Sequence, residues 1–127
     1  MTHHEDLTAA TLETVRRFNA ATNRHDVDGM MALMTEDVVF ENTLPPPDGE
    51  RRVGQAAVRA AWEELFRGAP NAVFETEELF AAGDRAVVRW LYRWAPDRPD
   101  RPGHVRGVDI LRVRAGKVAE KLSYVKG

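Results

Sequence analysis

The chain has 127 residues, enough for one domain burying about two-thirds of its unfolded surface around a single core. Its 43% hydrophobic and 30% charged residues describe an ordinary globular protein, and a net charge of -2 gives no electrostatic footprint for DNA or RNA. Cysteine is absent, which excludes a disulfide framework, a thiol nucleophile and a cysteine metal site. The opening Met1-Thr2-His3-His4-Glu5-Asp6 lacks the basic and apolar regions of a secretory signal. No run approaches the roughly 18 apolar residues of a membrane span, so a cytoplasmic protein without membrane partners is expected.

After a flexible tail over residues 1–6, apolar side chains at Leu7, Leu12, Val15, Phe18 and Ala21 predict a helix to about residue 23. Asp26 or Asp28 can cap a second, shorter helix through Met30, Met31, Leu33 and Met34. Val38-Val39-Phe40-Glu41-Asn42 reads as a short strand, and Pro45-Pro46-Pro47-Asp48-Gly49-Glu50 as a loop. A third helix runs from about Gly54 to Arg67, with Val58, Ala61, Trp62, Leu65 and Phe66 on its buried stripe. The period then changes. Residues 72–80, 85–95, 104–114 and 117–125 read as four strands, separated by Gly83-Asp84, the Pro/Asp/Arg-rich stretch 96–103, and Ala115-Gly116. Helices segregated from an antiparallel meander make an α+β domain. The expected shape is a cone-like barrel, three helices on a curved and mainly antiparallel sheet, spanning residues 1–127 as one domain.

Asp109 stands out, a carboxylate inside Gly107-Val108-Asp109-Ile110-Leu111-Arg112-Val113. A charge in a buried strand costs several kcal/mol unless it is paired or hydrogen-bonded, and such acids concentrate where they have a task. The plainer reading is an ion pair with a nearby arginine. Strand alternation puts Val105, Gly107, Asp109, Leu111 and Val113 on one face. Arg89, sharing a face with Val87, Leu91 and Arg93, is expected beside Asp109 across the sheet, either as a functional partner or as a charge balancer. Trp90, Tyr92 and Trp94 then form an aromatic row on the opposite, outer face, which reads as a subunit interface. His25, in an interhelical turn, reads as solvated, and His104 as a residue near the cavity mouth. Neither histidine nor carboxylate spacing suggests a metal site, and no phosphate loop or Gly-x-Ser-x-Gly is present. Chemistry without a metal or cofactor is expected.

Four stretches together cover nearly the whole chain: Phe18–Phe40, Gly54–Trp62, Gly83–Trp90 and, most specifically, Arg106-Gly107-Val108-Asp109-Ile110-Leu111-Arg112-Val113 through Glu120. In these the chain resembles the nuclear-transport-factor-2-like superfamily, above all its SnoaL-like polyketide-cyclase and ketosteroid-isomerase branch. The resemblance implies that Asp109 points into a cavity and acts as general base on carbon next to a carbonyl. In ketosteroid isomerase the matching acid is instead held protonated as an oxyanion donor, a standard case of pKa tuning. Where isomerase relatives carry a base aspartate this chain has Asn42, and their oxyanion tyrosine is matched by Phe18. Asn42 either orients a carbonyl or a water or serves as a turn residue. The run Phe40 to Pro47 also resembles limonene-epoxide hydrolases, whose acid-arginine-acid set is matched only by Arg89, because Leu91 and Ser123 stand at the two acid positions.

The resulting expectation is a SnoaL-like enzyme performing cyclisation or isomerisation by proton abstraction on an apolar small molecule. Asp109, Asn42 and Arg89 would be its catalytic set. Phe18, Met30, Met34, Phe40, Trp62, Phe66, Leu91, Leu111 and Ser123 would contact substrate. The alternatives are a non-catalytic hydrophobic-ligand-binding or dimerisation module, and an epoxide hydrolase with altered acids. A homodimer through the Trp90, Tyr92 and Trp94 face is expected.

Overall fold

The protein is described by a computed structural model covering residues 3–97, 100 and 103–126. Helix α1, His3–Asn23, buries Val15, Phe18 and Ala21 on one stripe. It begins earlier than its apolar pattern suggests. Glu5 and Asp6, expected in a tail, form part of its first turn, where acidic groups offset the helix dipole. Residues 1 and 2 of that tail lie outside the described residues. Helix α2, Val27–Ala32, is capped by Asp26, which accepts a 3.0 Å hydrogen bond from the Gly29 amide. Asp28, the other candidate cap, pairs with Arg59 at 2.8 Å.

Strand β1, Met34–Glu41, leads through the proline loop into a short strand β2, Arg51–Val53, and helix α3, Gln55–Gly68. The three residues of β2 carry no alternation that would predict a strand; its partner β1 defines it, pairing Val39 with Val53 and Glu41 with Arg51. Four strands follow: β3 Val73–Ala82, β4 Arg85–Arg93, β5 His104–Arg114 and β6 Lys117–Val125. They form one sheet in the order β2-β1-β6-β5-β4-β3, antiparallel except for the β1–β6 pair. The sheet curves around the helices without closing, the NTF2-like α+β arrangement.

The core lies between the helices and the inner sheet face. Trp62, Phe18, Met30, Leu111 and Val58 are among its most deeply buried side chains. Two side-chain clamps fix the helices to the sheet. Thr11 Oγ1 donates to the Gly83 carbonyl at 2.7 Å, and the Gly83 amide donates to Thr8 Oγ1 at 2.8 Å, tying α1 to the β3–β4 turn. The Gln55 amide donates to the carbonyls of Met31, Met34 and Thr35, tying α3 to the α2–β1 junction.

Candidate active site

Asp109 sits midway along β5 on the inner face, as alternation predicts, with its side chain 9% exposed. Its partner is not an arginine. Lys121 of β6, 10% exposed, places Nζ 3.1 Å from Asp109 Oδ2. Ser123 Oγ donates to Asp109 Oδ1 at 2.6 Å, and Lys121 Nζ donates to Ser123 Oγ at 3.1 Å, closing a triangle of three side chains from one hairpin. The Lys121 ammonium also lies over the rings of Phe40, 4.8 Å from the centroid, and Trp62, at 5.2 Å, where the aromatic quadrupoles attract it. A buried charge of each sign is thus paired and hydrogen-bonded, the condition under which burial is tolerable.

This geometry depends on a bulge. The two-residue turn Ala115-Gly116 starts the β5–β6 hairpin with Arg114 opposite Lys117 and Val113 opposite Val118. Between Arg112 and Val113 the register slips, so that Asp109 faces Ser123 and Leu111 faces Lys121. Without the slip, Asp109 would face Leu122 and Lys121 would point outward.

Asp109 and Lys121 line a cavity of about 20 Å³ with Phe18, Asn19, Thr22, Asn23, Trp62, Phe74, Thr76, Val88 and Trp90. That is room for a group the size of a water, far below the roughly 300–1,000 Å³ of a pocket enclosing a whole drug-sized ligand. The exposed Asn23 and Thr76 mark its mouth, between the end of α1 and β3. Asn23 is committed to structure there, donating to the Phe74 carbonyl at 2.7 Å and accepting from its amide at 2.9 Å.

Of the residues expected at the site, Phe18 and Trp62 line this cavity, Ser123 bonds Asp109, and Phe40 lies under Lys121. Met30, Met34, Phe66 and Leu111 belong to the surrounding core and do not line it. Asn42 lies elsewhere: its side chain accepts from the Thr43 amide at 2.7 Å, and it lines a neighbouring cleft of about 320 Å³ with Glu41, Tyr124 and Ser123. Ser123 is the residue common to that cleft and the Asp109 triangle.

The β4 faces are the reverse of the expectation. Val88 pairs with Asp109 and Trp90 with Gly107, so Val88, Trp90 and Tyr92 face inward. Trp90 is a cavity wall and Tyr92 stacks on Phe74 at 4.6 Å, with burial pushing its phenol pKa above 10.0. Trp94 lies beyond the end of β4 and is 40% exposed. Arg89 therefore points away from Asp109, pairing with Glu78 at 3.3 Å and Glu77 at 3.7 Å on the outer face. Leu91 is buried on that same face rather than in the site. The reason is amphipathic ambiguity: both faces of β4 carry large apolar residues, and only the strand pairing decides which is covered. His25 is half-buried rather than freely solvated; it stacks on Phe66 at 4.1 Å and bonds the Ala72 carbonyl at 2.7 Å. His104 pairs opposite Arg93, exposed on the outer face.

The cavity residues not expected there from the sequence are Lys121, Trp90, Val88, Phe74, Thr76, Asn19, Thr22 and Asn23. The signal for Lys121 was a lysine between Glu120 and Leu122 in a strand, uninformative until the bulge fixes its face.

The profile of the SnoaL-like domain matches residues 15–121. The chain belongs to the SnoaL-like domain family. An NTF2-like protein of unknown function from Mesorhizobium loti is 40% identical, with 94% of this chain and 93% of that chain covered and a TM-score of 0.81. A candidate ketosteroid isomerase from Kribbella flavida is 22% identical over 94% of this chain and 80% of its own, with a TM-score of 0.78. A candidate SnoaL-like polyketide cyclase from Shewanella putrefaciens is 15% identical over 91% and 79%, with a TM-score of 0.75. At those identities the last two share the fold, and fold alone does not transfer an activity.

Proposed function

We propose that this SnoaL-like domain is a small-molecule enzyme in which Asp109 removes a proton from carbon next to a carbonyl. The single observation behind this reading is the buried Asp109–Lys121 pair set in the wall of an aromatic cavity. Each carboxylate oxygen has one of its roughly two lone-pair sites occupied, by Ser123 and by Lys121, leaving acceptor capacity for a substrate proton. In the step, the C–H proton moves to Asp109, the C–H electrons form a carbon–carbon double bond, and the carbonyl π pair moves onto oxygen. The Lys121 ammonium is fixed beside that developing negative charge, where a preorganised cation lowers the barrier. Where the substrate also carries a β,γ carbon–carbon double bond, the dienolate takes the proton back at its γ-carbon and the double bond moves into conjugation, which is isomerisation. Attack by the enolate carbon on a second carbonyl of the same molecule gives cyclisation.

The standard epoxide-hydrolase set has no support in this geometry, because Arg89, its one matching residue, lies on the outer face. Deuterium uptake from D₂O at the α-carbons of a panel of cyclic ketones tests the proposal. Asp109→Asn is expected to lower that uptake about 10²- to 10⁴-fold. Undiminished uptake by the variant would remove Asp109 from the chemistry, and a ketone that binds without exchanging would favour the ligand-binding module.

A homodimer is part of the same proposal, with a revised surface. The outer sheet face carries Phe80, Val87 and Ile110 around an apolar groove of about 290 Å³. That face, rather than the inward-facing Trp90 and Tyr92, is where a second copy would dock.

A further inference from the structure

We propose that the indole N–H groups of Trp62 and Trp90 form a docking point for an uncharged oxygen acceptor, the carbonyl end of the substrate. This rests on the acid–base reading of Asp109 and names the substrate class for it. Trp62 is 2% exposed and Trp90 8%, and neither Nε1 has a hydrogen-bond partner among the described residues. Both side chains line the Asp109 cavity, one from α3 and one from β4.

Unpaired buried donors are rare, and each calls for a physical explanation. The other buried polar groups here are satisfied: Thr22 donates to the Phe18 carbonyl at 2.9 Å, and Asp109, Lys121 and Ser123 satisfy one another. A third unpaired group, Thr35 Oγ1, lies outside this cavity. Indole nitrogen only donates, so whatever completes the pair must accept. Phenylalanine would fill a purely structural wall without leaving a donor unpaired.

Charge narrows the ligand further. Asp109 and Lys121 cancel each other, so an anion would face the carboxylate, and a cation would face the ammonium and two N–H dipoles. A neutral acceptor meets neither objection. Size agrees: about 20 Å³ admits an oxygen-sized group and not a whole molecule, leaving the remainder at the mouth. There the half-buried Asn19, whose amide has no partner among the described residues, is available to a second polar group.

The test uses the full chain labelled with ¹⁵N and cyclopentanone as the probe. Three tryptophans give three indole signals, assigned with Trp94→Phe and Trp90→Phe. The Trp62 and Trp90 signals are expected to move saturably with cyclopentanone, while Trp94 stays still. Cyclopentane, which has no acceptor, should move none of them, and acetate should bind at least about tenfold more weakly than the ketone, the repulsion from Asp109 being worth that much. Trp90→Phe should weaken ketone binding about three- to tenfold, the loss of one hydrogen bond. Indole signals that ignore the ketone, or answer cyclopentane equally, would overturn the assignment, and a resident water satisfying both donors would show itself by that silence. The wild-type titration needs no variant to fold. Deuterium uptake separates the two readings: uptake with silent indoles removes this docking point and keeps the base, whereas shifting indoles without uptake keeps the docking point and removes the base.

Discussion

Asp109 and Lys121 are each about nine-tenths buried, and neither would be stable there alone. Desolvating two charges costs more than an exposed ion pair returns, so the pair is not an economical way to hold a sheet together. Its retention in an aromatic wall is what a working site looks like. Lys121→Met should therefore cost about 3–5 kcal/mol, because it leaves the carboxylate buried with Ser123 as its remaining partner. The double variant Asp109→Asn/Lys121→Met should recover much of that loss, since no charge is left to desolvate. Urea denaturation of the parent, Asp109→Asn, Lys121→Met and the double variant checks this. A single variant as stable as the parent would mean that the site is wetter than the structure shows. The position of Asp109 was legible from alternation along β5, and its carboxylate was conspicuous there. Its partner was not, because a lysine in a strand reveals nothing until its face is known.

At the level of elements, the long periodic segments were readable and the fine register was not. All three helices and four long strands follow from their apolar spacing, and β2 escaped because three residues carry no period. The β5–β6 bulge and the two-faced β4 decided the site instead. Each reverses which side chains face inward, and each is set by pairing rather than by local preference. That reversal moved Trp90 into the cavity and Arg89 out of it. Gly107 supplies the matching detail on β5. A Cβ there would collide with the Tyr124 carbonyl and, at 2.5 and 2.6 Å, with the Trp90 ring laid across it. Gly107→Ala should cost about 1–3 kcal/mol and displace Trp90 from the cavity wall. Thermal unfolding, with Trp90 indole N–H exchange as the local readout, checks both halves. Unchanged stability would show that the hairpin can give way.

Across the whole molecule, the groove of Phe80, Val87 and Ile110 is an apolar patch that the single chain leaves uncovered on its outer sheet face. If a second copy covers it, Ile110→Glu should convert a dimer into a monomer in sedimentation, burying a charge in the contact being costly. The indole signals of the cavity, on the other side of the sheet, should stay in place. An unchanged sedimentation coefficient would rule that face out. Strand β6 has a further consequence, for synthesis. It is the parallel neighbour of β1, and it carries both Lys121 and Ser123. While the ribosome is still making β5, β1 has only the three-residue β2 beside it, and Asp109 has neither of its partners. The β1 edge stays unpaired until β6 is made, and Asp109, once made, waits for both its partners until then. Assembly must wait for the last strand, so the nascent chain depends longest on whatever shields it from aggregation.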